Sequence, residues 1–68
     1  MNTIFAVVQY PDGSSGRMPF ETIEDGKRWS ISAHEDDEGP VEIKLYRVRH
    51  LRDDVIPTEE LLAVWSKR

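Results

Sequence analysis

The chain has 68 residues, no cysteine and a net charge of −4, which restricts it to one small domain without disulfide bonds or thiolate metal ligands. Its 38% hydrophobic content, with two Trp, two Tyr and two Phe, excludes a disordered tail. The longest apolar runs are five residues, 4–8 and 61–65, so no bilayer-spanning segment is predicted. The N-terminus lacks the basic segment and cleavage site of a secretion signal. We therefore predict a single domain over residues 1–68 in the cytoplasm, with no membrane association.

The first 20 residues predict a β-hairpin. TIFAVVQY, residues 3–10, is rich in β-branched and aromatic residues, and apolar residues on both of its faces indicate cover on both sides. The following PDGSSG combines Pro11 with Asp12-Gly13, which are residue types suited to a tight turn. GRMPF, residues 16–20, is then a short strand that Pro19 places at a sheet edge, because proline cannot donate a ladder hydrogen bond.

Residues 21–37, ETIEDGKRWSISAHEDD, have the periodicity of a helix. Thr22 followed by Asp25 forms a capping-box pattern at its start, and Gly39-Pro40 must lie beyond its end. Small residues on one face would let the helix lie close on a sheet. That face comprises Ile23, Gly26, Trp29, Ser30 and Ala33. Close packing would explain a glycine that costs about 1 kcal/mol relative to alanine inside a helix.

A third strand is predicted over residues 41–51, VEIKLYRVRHL. Val41, Ile43 and Leu45 alternate with polar or aromatic residues. The alternation blurs after Leu45, as a β-bulge or a strand protruding from the domain would produce.

The C-terminal segment, TEELLAVWSKR over residues 58–68, fits two structures. We favour a helix with Thr58 as its N-cap and Lys67 and Arg68 in its last turn. A fourth strand is the alternative, because LLAVW is short, apolar and partly β-branched. The order of elements predicts a small α+β two-layer domain with a mainly antiparallel sheet of about three strands, completed by this C-terminal helix or fourth strand.

No cluster of residues has the spacing of a metal site or a catalytic site. His34 stands beside Glu35, Asp36 and Asp37, but oxygen ligands do not alternate there as in a calcium loop, and the only other histidine is His50. No nucleophile-elbow or triad signature surrounds the serines, and a domain of this size has little room for a pocket of about 300 Å³. We predict a protein that is not an enzyme and has no catalytic residue, metal or cofactor.

Negative charge is concentrated in the first part of the chain. Residues 1–42 carry nine acidic and three basic residues, a net −6, whereas residues 43–68 have a net charge of +2. If the helix forms, carboxylates lie at both of its ends, and a rigid set of carboxylates can imitate a nucleic-acid backbone. The predicted contacts with a protein partner are Glu35, Asp36, Asp37 and Glu38, with support from Glu24 and Asp25. The alternative is a solvated helix end that favours solubility.

KLYRVRHLR, residues 44–52, interleaves basic and aromatic residues. Tyr46 could stack on bases while Arg47, Arg49 and Arg52 contact phosphates, although direct nucleic-acid binding is not expected of an acidic chain. Alternatively, these residues line the end of a strand and pair with nearby acids, or two of the arginines bind carboxylates of a partner. If Arg47 and Arg49 fold back onto residues 35–38, the acidic run forms ion pairs within the domain. If they point elsewhere, its carboxylates are free to bind a partner.

In its layout the chain resembles the small acidic α+β proteins that phages and mobile elements use against host machinery, anti-CRISPR proteins among them. The resemblance covers most of the chain and includes its size, lack of cysteine, negative charge and the order of FAVVQYPDGSS, TIEDGKRW and VEIKLYRV. It implies a stoichiometric inhibitor that acts by occlusion in the host cytoplasm, with a nucleic-acid-binding host complex as its partner.

Two further hypotheses come from other classes of function. The chain could be a structural domain that forms a homodimer, through an exposed edge strand at residues 45–50 or through the aromatic C-terminus around Trp65. It could also be a small nucleic-acid-binding protein that uses the basic-aromatic strand at residues 44–52.

Overall fold

The computed structural model describes residues 2–49 and 58–67. These residues form a small α+β domain with a four-stranded antiparallel sheet in the order β2-β1-β3-β4, and one helix packs on one face of the sheet. The elements in chain order are β1 (Asn2–Gln9), β2 (Ser15–Phe20), α1 (Ile23–Glu35), β3 (Glu42–Arg49) and β4 (Thr58–Ser66). The sheet face that carries α1 is called the inner face below, and the opposite one the outer face.

The C-terminal segment is a strand, so the helix predicted with Thr58 as its N-cap is wrong. β4 pairs with β3 from Thr58 to Ser66. The residues of LLAVW suit a helix or a strand, and strand pairing decides the outcome because it satisfies the hydrogen-bonding groups along one side of β3. β3 is therefore a central strand, between β1 and β4. The prediction that residues 45–50 form an exposed edge strand is wrong for residues 45–49, and His50 lies outside the described residues.

A β-bulge interrupts the pairing of β3 with β4. Leu45 lies opposite Ala63 and Tyr46 lies opposite Leu61, so Leu62 is an extra residue between the two pairs. The bulge lies opposite Leu45 and Tyr46, the point at which the alternation in β3 blurs, and a bulge was one of the two explanations that the sequence offered. The extra residue belongs to β4, however, whereas β3 pairs with β1 in an unbroken register. Strand residues alternate between faces, so an extra residue shifts the alternation by one position. Odd-numbered positions of β4 face outward before Leu62, and even-numbered positions face outward after it.

The hairpin between β1 and β2 closes through a tight turn, as predicted. Tyr10 N donates to Ser14 O at 2.8 Å, and Gly13 N donates to Tyr10 O at 3.0 Å. Gly13 has a φ of +92°, a conformation that glycine adopts without steric cost. The Asp12 carboxylate accepts hydrogen bonds from the side chain and main chain of Ser14, at 2.6 and 2.9 Å, and these bonds hold the pKa of Asp12 below its ordinary value.

The start of α1 is capped as the sequence predicted. Thr22 is the N-cap, and its hydroxyl accepts a hydrogen bond from Asp25 N at 3.1 Å. The helix ends at Glu35, and Asp36 is its C-cap. The Thr22 hydroxyl thus satisfies one of the main-chain N–H groups that have no partner within the first turn of a helix.

Close packing of α1 on the sheet explains Gly26. A Cβ atom at this position would lie 2.8 Å from Leu45 Cδ1 and 3.3 Å from Phe20 Cδ2. Gly26 and Ser30 are buried, and larger residues of the same face pack around the core. The predicted role of this helix face is confirmed.

The hydrophobic core lies between α1 and the inner face of the two central strands. Its buried members come from alternate positions of β1 and β3, and they are Ile4, Ala6, Val8, Ile43 and Leu45. On the outer face Phe5 stacks on Tyr46, with ring centroids 5.4 Å apart, and the Arg17 guanidinium lies 4.5 Å from the Phe5 centroid. β1 is therefore covered on both faces at its centre, as predicted.

Candidate functional site

The acidic run at residues 35–38 forms a hydrogen-bonded turn at the end of α1. Asp36 N donates to Ala33 O at 3.3 Å, and Gly39 N donates to Asp36 O at 3.0 Å. The Asp36 carboxylate accepts from Glu38 N at 3.0 Å. A Cβ atom on Gly39 would lie 2.5 Å from Ala33 O, so the turn closes tightly only with glycine there. We call residues 35–38 the acidic turn.

The end of β4 holds the acidic turn in place. The His34 Nε2 atom lies within hydrogen-bond distance of Ser66 O, at 3.3 Å. The ammonium of Lys67 donates to the main-chain carbonyl of Asp36, and Lys67 N donates to Val41 O at 2.8 Å. These contacts join the residues on both sides of the turn to β4, so the turn has a defined position on the domain.

The four side chains of the acidic turn are exposed. Among the described residues none of these carboxylates forms an ion pair. Arg47 lies 2.5 Å from Glu60 and Arg49 lies 3.8 Å from the same carboxylate, and Lys67 contacts the turn at a main-chain carbonyl, not at a carboxylate. The turn thus displays Glu35, Asp36, Asp37 and Glu38. Arg47 and Arg49 do not fold back onto these carboxylates, so the acidic run is not neutralised by the arginines of β3.

The second predicted acidic set, Glu24 and Asp25, lies at the other end of α1 and is exposed. A helix of 13 residues is about 20 Å long, and the exposed Lys27 and Arg28 lie between the two sets. Asp25 and Arg28 are 3.9 Å apart. The structure therefore keeps the two acidic sets apart. Of the two, only the acidic turn has several carboxylates that form no ion pair among the described residues.

The predicted basic-aromatic set does not come together on one surface. Tyr46 lies on the outer face against Phe5, whereas Arg47 and Arg49 belong to the inner-face positions of β3 and bind Glu60. Arg52 lies outside the described residues. This geometry gives the nucleic-acid hypothesis no shared platform for stacking and phosphate contacts.

Within residues 2–49 and 58–67, Glu60 is the carboxylate that Arg47 and Arg49 share. The hydrogen bond from Arg47 holds the pKa of Glu60 below its ordinary value, and the charges of Arg47 and Arg49 act in the same direction against partial desolvation. The sequence alternative in which the arginines pair with nearby acids is the one that this contact matches. Glu60 lies beside Arg47 because residues 58–66 form strand β4. The sequence analysis favoured a helix for this segment and so did not identify Glu60 as the partner.

The Glu60 ion pair predicts a pH dependence of stability. The pKa of Glu60 is lower in the folded state than in the unfolded chain, where it is about 4.3. Its stabilising effect is therefore fully present above that value and is lost as pH falls through the folded-state pKa. We expect Glu60→Gln to lower the urea midpoint at about pH 7, and the difference from the native chain to shrink toward about pH 3.

Glu59→Gln is the matched control, because Glu59 has no ion pair within the part of the chain that the structure describes. This variant should change the midpoint less at about pH 7. An equal loss for Glu60→Gln at both ends of the pH range would contradict the assigned ion pair.

The stacked pair on the outer face is a feature that sequence reasoning did not single out. Phe5 and Tyr46 are directly opposite in the antiparallel pairing of β1 and β3, and Arg17 covers Phe5 from the neighbouring strand. The alternation of both strands carried a signal, since each places its aromatic residue on the face opposite its core residues. The register that aligns them follows only from the fold.

No group of three or more His, Asp or Glu side chains within residues 2–49 and 58–67 is arranged to hold a metal ion. Over the same residues, no helix is long and apolar enough to cross a membrane. Comparison of the chain with protein families, curated proteins and solved structures finds no match.

Proposed function

We propose that the chain is a non-enzymatic inhibitor of the phage-encoded anti-CRISPR type, which uses the acidic turn to occupy a basic nucleic-acid-binding surface of a host complex. The observation that carries the proposal is the acidic turn itself: a hydrogen-bonded segment, joined to β4, whose exposed carboxylates have no ion pair among the described residues. A fixed array loses little conformational entropy on binding, so its charges favour association more than those of a mobile tail.

The geometry ranks the predicted contact residues. Glu35, Asp37 and Glu38 have carboxylates without a hydrogen bond among the described residues and are the primary contacts. Asp36 contributes its charge while its carboxylate caps Glu38 N. Glu24 and Asp25 support binding only if the partner reaches along the full length of α1.

The partner is a surface rich in lysine and arginine that otherwise binds nucleic acid. Such a surface attracts carboxylates by the same long-range electrostatics that attract phosphates. Binding should therefore weaken as salt rises, and nucleic acid should compete with this protein for the same surface.

The test is a triple variant, Glu35→Gln with Asp37→Asn and Glu38→Gln, used as bait in extracts of the native host. The matched control changes net charge equally at other exposed or half-exposed carboxylates, with Glu21, Glu42 and Glu59 replaced by glutamine. We expect the native chain and the control to retain the same nucleic-acid-binding complex. The triple variant should bind it about tenfold more weakly, since each exposed charge pair contributes about 0.2–1 kcal/mol.

Circular dichroism establishes that all three proteins keep the fold. Retention of the same complex by the triple variant, or loss of binding by the control to the same extent, would reject the acidic turn as the contact surface. A complex that binds the native chain and nucleic acid simultaneously would reject occlusion as the mechanism.

A further inference from the structure

The outer edge of β4 is open along the described part of the sheet. β4 is nine residues long and pairs on one side only, with β3. The other edge strand, β2, has six residues and contains Pro19, which cannot donate a hydrogen bond. Long edge strands with unpaired N–H and C=O groups are templates for pairing with another chain. β4 is therefore the edge that can accept a further strand.

Two large apolar side chains of β4 are exposed on the outer face. Leu61 is 51% exposed and Val64 is 48% exposed. Leu61 lies opposite Tyr46 and Val64 lies opposite Lys44, and both partners belong to the outer face. Positions three apart in a regular strand face opposite sides, so these two residues share a face because of the bulge at Leu62.

We propose that a second copy of this chain pairs with β4, strand to strand and antiparallel, about a two-fold axis between Leu62 and Ala63. Such an isologous contact is the commonest arrangement of homodimers. It places Leu61 opposite Val64 of the second copy, twice, and joins the two sheets into one continuous sheet of eight strands.

The bulge excludes registers shifted by one residue, and among the registers that remain this one places Leu61 against Val64. In a paired sheet, residues directly opposite one another must lie on the same face. With the axis between Leu62 and Ala63, outer-face positions meet outer-face positions on both sides of the bulge. Inner-face positions also match, with Glu60 opposite Trp65 of the second copy. A shift of one residue would instead pair Leu61 with the inner-face residue Trp65 and break the match.

Charge complementarity supports the antiparallel direction. β4 has Glu59 and Glu60 near its start and is followed by Lys67. Antiparallel pairing brings the acids of each copy to the end that carries the lysine of the other. Glu60 and Lys67 of the second copy then become diagonal neighbours on the inner face. Each keeps its contact within its own chain, to Arg47 and to the Asp36 carbonyl, so their opposite charges attract at the diagonal separation without forming a new ion pair. The acidic turn is not part of this edge, so the dimer and the proposed inhibitor function fail independently.

Sedimentation velocity over a range of concentrations tests the dimer. The native chain is expected to reach twice its 7.9 kDa mass at high micromolar concentration. The double variant Leu61→Glu with Val64→Glu should remain monomeric, because the register brings two pairs of carboxylates face to face. The variant Leu61→Lys with Val64→Glu should dimerise again, since each lysine then meets a glutamate of the second copy.

A control with the same added charge, Ile31→Glu with Ser32→Glu on the exposed side of α1, should dimerise like the native chain. Circular dichroism verifies the fold of each variant, which the half-exposed positions should preserve. A native chain that stays monomeric at every concentration overturns the proposal, as does dimerisation of the double glutamate variant. Failure of the lysine–glutamate variant beside a native dimer overturns the register.

Discussion

Replacing Ile43 by alanine is expected to lower the free energy of unfolding by about 2–5 kcal/mol. Ile43 is fully buried in β3, between Val8 of β1 and Trp65 of β4. Alanine would leave a cavity that the surrounding strands cannot close without breaking their pairing. Domains are stabilised by about 0.05–0.15 kcal/mol per residue, so this loss is a large part of the total and a substantial unfolded population is expected.

Ile31→Ala is the matched control, because it makes the same substitution at a residue of α1 that is 48% exposed. It should change stability by less than about 0.5 kcal/mol, and alanine also favours the helix. Urea unfolding followed by tryptophan fluorescence measures both variants. Equal losses for the two would show that Ile43 is not at the centre of the core.

Gly26→Ala is expected to lower the free energy of unfolding by about 1–3 kcal/mol, although alanine is the better helix former by about 1 kcal/mol. The added methyl group would lie 2.8 Å from Leu45 Cδ1 and 3.3 Å from Phe20 Cδ2. Leu45 is fully buried and belongs to the hydrophobic core, so either α1 shifts away from the sheet or the Leu45 side chain must repack among its neighbours.

Gly16→Ala provides the matched control. A Cβ atom there would meet only Val8 Cγ2, at an ordinary 3.6 Å, so little destabilisation is expected. Combining Gly26→Ala with Leu45→Ala removes the closer of the two contacts, the one with Leu45. The double variant should therefore cost less than the sum of the two single changes. Additive losses would show that the helix and β3 are not in close contact at this point.

Much of α1 could be predicted because its signals are local. The Thr22–Asp25 cap and the small residues of one helix face are read within a few positions, and both were confirmed. The turn at Asp12-Gly13 is equally local, since its geometry depends on residues that are adjacent in sequence.

The conformation of β4 could not be assigned from the sequence because it depends on a distant partner. LLAVW fits either periodicity, and the choice is made by pairing with β3, which is a long-range interaction. For the same reason the sequence could not identify the partner of Arg47 and Arg49. With residues 58–66 in a helix, nothing in the sequence identifies Glu60 as the carboxylate that binds Arg47.

The candidate site was predicted in part. The acidic run beside Gly39-Pro40 indicates a helix end with exposed carboxylates, and the structure has that arrangement. The hydrogen bonds that fix the turn involve Lys67, more than 30 residues away, which no local pattern connects to Asp36.

The strand order also has a consequence for how the chain folds. The two central strands, β1 and β3, pair residues as distant as Asn2 and Arg49, with a hairpin strand and the helix between them in sequence. Closing so long a loop has an entropic cost that must be met before its contacts form. The β1–β2 hairpin and α1 can form early, whereas the centre of the sheet must wait for β3. Folding should therefore be slower than for a helical domain of this length, and amide hydrogens should exchange most slowly in β1 and β3.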